Sequence, residues 1–209
     1  MWPLLQIIGP RILIPGFFVG PKLAAMNDWV QIFQTVALSL LFITFAVTLF
    51  SDSYWLAPIP GIAAYAYWNM LKHEDQIDTY RYADWALTTP LMLLAILTVN
   101  GASVATKLGA VLLDLVMIGA GYYGAIEPDQ SKKMQLFLLG CIVFIPILYI
   151  IYTMKKAKWA IALTLLMWLL YPIVWYADET KAVASSTANI TYSVMDVIAK
   201  VGLVNLLHI

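Results

Sequence analysis

Seven long apolar runs are the feature of this sequence that most limits its fold. A helix needs about 20 mostly apolar residues to cross the hydrocarbon core of a bilayer. The runs are too long and too continuous for the strands of a membrane barrel, which leaves helices as the spanning structure. The predicted spans are Trp29–Phe50, Tyr54–Leu71, Tyr82–Val99, Thr106–Ala125, Met134–Met154, Trp159–Ala177 and Asn189–His208. The predicted fold class is all-α, a seven-transmembrane-helix bundle in the cell membrane.

Charge is scarce and balanced along the chain. Only 11% of the residues are charged, whereas soluble domains carry about 25%. The 12 basic residues equal the 12 acidic ones in number and form no polybasic stretch, so no nucleic-acid partner is expected. No Cys/His spacing typical of zinc occurs, so no metal is expected, and the single Cys141 cannot form an internal disulfide.

Basic residues in the short loops predict the orientation, because cytoplasmic loops are enriched in them. Acidic residues collect in the loops after the second, fourth and sixth spans, which are therefore predicted to be external. This gives an extracellular N-terminus and a cytoplasmic C-terminus, with no tail expected beyond Ile209. Lys132 and Lys133, on the predicted external side, oppose this orientation. The lysines of the predicted cytoplasmic loops are Lys107, Lys155, Lys156 and Lys158.

The first 26 residues are predicted to be separate from the bundle domain of residues 27–209. They contain Pro3, Pro10, Pro15 and Pro21, which would break a spanning helix. The start of the chain lacks the basic region of a cleaved signal peptide. A retained external segment, lying at the membrane surface or capping the bundle, is therefore expected.

Lys200 lies in the otherwise mostly apolar seventh span, with Asp196 one helical turn before it. The i,i+4 spacing places the amine and the carboxylate on the same face of a helix. A charged side chain inside a membrane span is costly, and it usually marks a functional site with a charged partner. The spacing favours an amine that is used chemically.

The third span carries a second set of ionisable groups. Arg81, Asp84 and Thr88 are spaced i, i+3 and i+7, which places them on one stripe of a helix. Together with Lys200 and Asp196 they predict a cluster of two positive and two negative charges, neutral overall, inside the bundle. Two interpretations remain open here, a static ion network that fixes helix packing or a chemically active site.

These residues also form motifs that resemble those of the microbial (type 1) rhodopsins, the bacteriorhodopsin-like family. The string Arg81-Tyr82-Ala83-Asp84-Trp85 followed by Thr88-Thr89-Pro90 resembles their third helix, and Asp196 to Gly202 resembles their seventh. The resemblance covers all seven spans, roughly residues 27 to 209. Matching positions in the second, fourth and sixth spans are Pro60, Tyr67, Asp114, Met117, Gly121, Trp168, Tyr171, Pro172 and Trp175.

The resemblance implies that Lys200 forms a Schiff base with all-trans retinal. A protonated imine is a buried cation that needs a nearby anion. Asp84 and Asp196 would provide it, with Arg81 below them and Thr88 hydrogen-bonded to Asp84. Tyr67 and Tyr171 are expected to donate hydrogen bonds to Asp196, leaving Asp84 as the better proton acceptor.

A set of retinal-contact residues follows from the same resemblance. Phe137 stands where many relatives carry tryptophan, and Met92 occupies a position linked to colour, so the absorption colour stays open. Asp114 is either a protonated acid near the retinal ring or a hydrogen-bonding residue between helices. The full set is Tyr67, Trp85, Thr89, Met92, Asp114, Met117, Gly121, Phe137, Cys141, Phe144, Trp168, Tyr171, Pro172 and Trp175.

Ala95 is the main departure from the outward proton pumps of the family, which usually have a carboxylic acid at this position. It lies eleven residues past Asp84, about 16 Å further along the helix. Reprotonation is therefore expected to pass through water, helped by Asn69, Asn100 or Asn205, and the photocycle is expected to be slow.

The predicted external side also departs from those pumps. Ala188 and Asn189 stand about where such pumps often place a proton-releasing glutamate. Asp178 or Glu179 is expected to substitute, with late proton release.

Three functions remain open at this stage, none of them enzymatic. The first is a light-driven outward proton pump with a slow photocycle. The second is a photosensor that signals to a separate transducer, because sensory members often lack the donor. The third is a light-gated channel or an inward proton transporter. Asp84 and Thr88 disfavour chloride and sodium pumping. The family also implies a homo-oligomer, a trimer or a pentamer.

Overall fold

The computed structural model describes residues 27–207, and their fold is a bundle of seven α-helices. This confirms the predicted all-α, seven-helix class. The interpretation of residues 1–26 and the end of the seventh predicted span at His208 lie outside the described residues. The helices are α1 Asp28–Leu49, α2 Pro58–Lys72, α3 Ile77–Val99, α4 Val104–Ile126, α5 Gln130–Tyr152, α6 Lys158–Glu179 and α7 Ser185–Leu207.

Two helices differ from the predicted spans in ways that matter for function. Helix α3 begins at Ile77, five residues before the predicted Tyr82, and its first turn contains Asp78. An acid in a first turn stabilises a helix, because the N-terminal end carries a partial positive charge. Helix α2 begins only at Pro58, since residues 54–56 form a 3₁₀ turn instead. Proline suits the first turn of a helix because it lacks the N–H that would stay unbonded there.

Six of the seven helices are long and apolar enough to cross a membrane. The exception is α2, which has 15 residues and spans about 22 Å at the rise of an α-helix. The large apolar side chains point outward on several helices, with Val47, Leu112 and Ile145 each more than 60% exposed. Several charged side chains of the helices lie inside the bundle instead. This arrangement is the reverse of that in soluble proteins and is typical of a multi-pass membrane protein.

Local signals define the helix ends. The side chains of Asn27, Ser103 and Asp129 accept hydrogen bonds from main-chain N–H groups in the first turns of α1, α4 and α5. Helix α3 ends at Val99 and is followed, after Asn100, by Gly101, whose φ of 72° lies in the left-handed region that glycine adopts without strain. The N–H of Ala102 then donates to the carbonyl of Leu97 at 2.9 Å, closing the last turn as a Schellman motif.

The helices pack in a ring in chain order, with α7 returning to α1. Among neighbouring pairs, α5 and α6 pack least closely. The ring has two chemically different ends. The acidic end carries the loops α2–α3, α4–α5 and α6–α7, and the lysine end carries the loops α3–α4 and α5–α6, which contain Lys155 and Lys156.

Candidate functional site: a lysine between two carboxylates

Lys200 is buried in the centre of the bundle between two aspartates. Its Nζ lies 2.5 Å from Oδ2 of Asp84 on α3 and 3.1 Å from Oδ1 of Asp196 on α7. None of the three side chains is more than 2% exposed. The amine therefore bridges α3 and α7, and two negative charges compensate it at contact distance.

Asp196 is surrounded by neutral hydrogen-bond donors. Its Oδ2 accepts from the hydroxyl of Tyr67 at 2.9 Å, and its Oδ1 accepts from the hydroxyl of Tyr171 at 2.7 Å and from Nε1 of Trp85 at 3.2 Å. The structure thus places both tyrosines where the resemblance implies them. Both oxygens of Asp196 therefore have neutral donors in addition to the contact with Lys200.

Asp84 has a poorer set of partners. Its Oδ2 contacts Lys200, while its Oδ1 is buried and has no hydrogen-bond partner within residues 27–207. The hydroxyl of Thr88 donates at 2.9 Å to the main-chain carbonyl of Asp84. The two aspartates therefore differ in kind, because neutral donors satisfy one of them and the other depends on the amine.

Arg81 is also buried, but the described contacts do not bond it to the three inner groups. Its guanidinium donates to Asp78 at 2.6 Å and to the side-chain oxygen of Asn189 at 2.5 Å. The reason is that Asp78 lies one turn earlier on the same helix and provides a nearer carboxylate. The inner cluster then holds one positive and two negative charges, a net charge of −1 when all three groups are ionised.

A large cavity opens beside Lys200. About 830 Å³ of space lies between its side chains when its open mouth is counted. Its walls come from α3, α4, α5, α6 and α7. The lining residues are Tyr82, Trp85, Thr89, Met92, Met117, Ile118, Gly121, Leu136, Phe137, Gly140, Cys141, Phe144, Trp168, Tyr171, Pro172, Trp175, Tyr192, Asp196, Ala199 and Lys200.

The structure brings most of the predicted retinal-contact residues to this cavity, and Asp114 and Tyr67 are the exceptions. Tyr67 lies on the far side of the site, where it contacts Asp196. Asp114 is fully buried away from the cavity and accepts a hydrogen bond from Oγ1 of Thr89 at 2.7 Å. This bond joins α3 to α4, and the place of Asp114 relative to a retinal ring stays a prediction.

Sequence reasoning missed several lining residues that the helical period could have found. Gly140 lies four residues before Phe144, and Tyr192 lies one turn before Asp196, so each shares a face with a predicted residue. The missed lining residues are Tyr82, Ile118, Leu136, Gly140, Tyr192 and Ala199.

Aromatic contacts fix the shape of the cavity wall. The rings of Phe137 and Trp175 are stacked, with centroids 4.8 Å apart and an interplanar angle of 3°. The rings of Trp85 and Tyr171 meet edge to face at 5.1 Å. Such pairs stabilise one arrangement beyond the area they bury. The wall is therefore held in shape by the protein's own contacts.

The half of the bundle toward the lysine end is apolar around Ala95, which is 2% exposed. The buried carboxylates of the described residues are Asp84, Asp114 and Asp196, and none of them lines the small cavity beside Ala95. A buried hydroxyl, Oγ1 of Thr164, has no partner among the described residues. It is therefore an unsatisfied polar group in otherwise apolar surroundings.

None of the three asparagines expected to assist reprotonation is placed to do so. Asn69 lies near the opposite, acidic end, because α2 runs in that direction. Asn205 is exposed and donates to the carbonyl of Val201. Asn100 closes α3 and accepts hydrogen bonds from the main-chain N–H groups of Lys155 and Lys156 at 3.0 and 2.6 Å.

At the acidic end, the two acids expected to replace the missing glutamate are bound elsewhere. Asp178 accepts a hydrogen bond from Ser185 at 2.8 Å. Glu179 forms an ion pair with Lys133 that joins α6 to α5. The described contacts of Arg81 are instead with Asp78, Asn189 and the ring of Tyr192.

The cavity fits retinal in its chemistry. Its walls are mainly aromatic and aliphatic, as a polyene requires, and its one primary amine is that of Lys200. The amine is buried and faces two carboxylates, the environment that a protonated imine needs. No group of three or more His, Cys, Asp or Glu side chains that could hold a metal occurs within residues 27–207.

Fold and site together define a seven-helix membrane protein with an apolar ligand cavity that ends at a buried lysine and its two counter-charges. The sequence pattern of the family described as bacteriorhodopsin-like protein matches residues 24–209. The chain belongs to this family, and membership implies a retinal chromophore.

The relatives include both sensors and pumps. The chain is 31% identical to sensory rhodopsin III of Haloarcula marismortui over 195 residues, covering 81% of this chain and 84% of that protein. It is 32% identical to archaerhodopsin-1 of Halorubrum ezzemoulense over 173 residues, covering 69% of this chain. There it spans only 65% of the relative's length.

Solved structures share the fold. The crystal structure of the light-driven proton pump Coccomyxa subellipsoidea rhodopsin matches with a TM-score of 0.78 and 25% identity, covering 88% of this chain and 97% of that one. Halorhodopsin, a light-driven chloride pump, matches with a TM-score of 0.81 at 20% identity, covering 87% and 94%. At that identity the second likeness concerns the fold alone.

Proposed function

We propose that this protein is a light-driven outward proton pump with a slow photocycle, whose acidic end faces outside. Retinal bound to Lys200 through an imine would supply the absorption of light and the change of shape that drives the cycle. The free amine of Lys200 in the structure stands in for the imine nitrogen.

The observation that carries this proposal is the inequality of the two aspartates beside Lys200. Asp196 already accepts hydrogen bonds from Tyr67, Tyr171 and Trp85. Asp84 has a buried oxygen without a partner in the described residues, and its other oxygen lies 2.5 Å from the lysine nitrogen. Proton transfer needs an acceptor within hydrogen-bond reach, and Asp84 meets that condition. Asp84 therefore takes the proton while Asp196 stays ionised.

The surroundings of Lys200 support directed transfer. The side chains of Lys200, Asp84 and Asp196 are shielded from solvent, so water cannot compete freely for the proton. Asp84 lies on the side of Lys200 that leads to the acidic end, since α3 begins there. A proton on Asp84 is thus one step closer to the proposed external face.

The slow cycle follows from the opposite half of the bundle. The lysine nitrogen must recover its proton from the lysine end, but Ala95 provides no carboxylic acid there. General acid catalysis by a positioned side chain typically contributes about 10²- to 10⁴-fold in rate. We therefore expect the return of the proton to limit the cycle.

Illumination of cells that contain the retinal-loaded protein tests the proposal. Outward pumping acidifies the medium, and a protonophore abolishes the change. Asp84→Asn removes the acceptor and is expected to shift the absorption to the red and stop proton transfer. Lys200→Ala is expected to lack visible absorption altogether. Alkalinisation of the medium, or normal pumping by Asp84→Asn, would contradict the proposal.

A photosensor is the second candidate, supported by the lack of an acid at Ala95 and by the similarity to sensory rhodopsin III. A slow cycle prolongs the light-activated form of a sensor, which then has time to act on a transducer. The same cell experiment separates the two functions. A coloured, light-responsive protein that produces no net pH change would favour the sensor.

A further inference from the structure

Arg81 is anchored toward the acidic end by three neighbours. Its two terminal nitrogens donate to Asp78 at 2.6 Å and to Asn189 at 2.5 Å, and its guanidinium lies 4.6 Å from the ring centre of Tyr192. The arginine side chain is 4% exposed, whereas that of Asp78 is 63% exposed. The pair thus joins a buried cation to an acid that reaches the surface.

Arg81 lies between two sets of negative charge. The inner cluster of Lys200, Asp84 and Asp196 carries a net charge of −1 when ionised, and it attracts Arg81 inward. Asp78 carries a second negative charge on the outer side and holds the guanidinium there by direct contact. Arg81 therefore lies between an inner proton acceptor and an outer, solvent-facing carboxylate.

Other acids at this end are less suited to take part. Asp178 and Glu179 of α6 influence the nearby Tyr192 only through space, and each is bound by another residue. Asp78 contacts Arg81 directly. It is the described carboxylate that combines contact with the buried cation and access to solvent.

We propose that Asp78, bonded to the arginine that Asn189 also holds, is the group from which the exported proton leaves the protein. This inference rests on the proposed outward transport. In the resting structure Asp78 accepts a hydrogen bond from the guanidinium of Arg81 at 2.6 Å. The proton that Asp84 gives up binds to Asp78, replaces the N–H···O bond from Arg81, and then passes to external water. Arg81 afterwards bonds to Asp78 again.

Release must therefore follow the loading of Asp78 rather than precede it. The sequence shows Ala188 and Asn189 in place of a releasing glutamate, and the structure explains how release could work without one. Asn189 positions the arginine through a neutral side-chain oxygen. The carboxylate that carries the proton comes from α3 instead of α7.

Single-flash measurements on the full, retinal-loaded protein in detergent micelles test this assignment. A pH-sensitive dye in unbuffered solution follows the proton in the bulk, while absorbance changes follow its transfer from Lys200 to Asp84. Asp78→Asn is expected to delay the appearance of the proton by about 10-fold or more relative to the transfer from Lys200 to Asp84 measured in the same variant. Asp78→Glu is expected to restore release.

Asp75→Asn is the matched control, because Asp75 is an exposed acid of the preceding turn that is not bonded to Arg81. Its release kinetics should equal those of the unmodified protein. Equal kinetics in Asp78→Asn and Asp75→Asn would overturn the assignment, as would slow release in Asp78→Glu. An unchanged visible absorption shows that each variant is folded.

The test does not depend on net transport. In micelles, release and uptake both reach the same solution, so a protein that pumps nothing still reports the group that releases the proton. If the unmodified protein acidifies no medium in cells but Asp78→Asn delays release in micelles, the pump proposal fails and the exit assignment stands.

Discussion

At the scale of single residues, the two aspartates beside Lys200 have the same chemistry and different surroundings. The carboxylate of Asp196 accepts hydrogen bonds from side chains of α2, α3 and α6. Asp84 lacks such donors and keeps an oxygen free of partners in the described chain. The different roles proposed for the two aspartates therefore depend on side chains that come from three different helices.

The residue that limits the rate is predicted to be Ala95. Ala95→Asp places a carboxylic acid on the α3 stripe of Asp84, where a small cavity beside Trp55, Leu91 and Thr98 leaves room for it. We expect the last phase of the photocycle to become at least about 10-fold faster. Time-resolved absorption after a flash measures this phase. Ala95→Asn, of nearly equal size but unable to donate a proton, should remain slow. Equal acceleration by both variants would show that space or hydration limits the cycle instead.

At the scale of elements, α3 and α4 meet through Gly121. A Cβ added there would lie 3.0 Å from the ring of Tyr82, which is itself packed against Trp85 and Tyr122. Tyr82 cannot give way without disturbing the cavity wall. The glycine is therefore required by a neighbouring side chain of the protein.

Gly121→Ala is accordingly expected to destabilise the retinal-loaded protein by about 1 to 3 kcal/mol, the usual cost of overpacking. Gly119→Ala is the matched control on the same helix, because a Cβ there meets nothing within 4 Å. Alanine is also the better helix former, so this control should be neutral or slightly stabilising. Thermal loss of the visible absorption measures both variants. A loss of stability in Gly119→Ala as large as in Gly121→Ala would show that the contact with Tyr82 is unimportant.

The sequence was sufficient to predict the helices and the central residues of the site, and the physical reason can be named for each. Helix type followed from apolar length, and Lys200 and Asp196 share a face because of their i,i+4 spacing. Asp84 was found because it lies inside a span. Asp78 was missed because apolar length placed the start of the third span at Tyr82. The direction of Arg81 depends on a contact with a residue 108 positions away, which spacing along one helix cannot predict.

At the scale of the whole molecule, the ring of helices is weakest between α5 and α6, which also form much of the cavity wall. Lys133 and Glu179 form an ion pair across this boundary, with side chains 13% and 16% exposed. The pair joins the two helices at the acidic end. Its burial means that either partner alone would be poorly compensated.

Glu179→Gln is expected to lower the stability of the bundle by about 1 to 3 kcal/mol, because it leaves the largely buried Lys133 ammonium without its carboxylate. Thermal bleaching in detergent measures the change. Lys132→Gln, at an exposed neighbouring position, is expected to have little effect. The double variant Lys133→Gln with Glu179→Gln should recover part of the loss, and no recovery would show that the charges do not act as a pair.

The contact between Asn100 and the α5–α6 loop has a consequence for observing motion. The amides of Lys155 and Lys156 both donate to one side-chain oxygen at the end of α3. Any outward swing of α6 at the lysine end must first break these bonds and expose the two amides to water. Faster hydrogen–deuterium exchange of these two amides in light than in darkness would therefore show that the bundle opens at this end, whether the protein is a pump or a sensor.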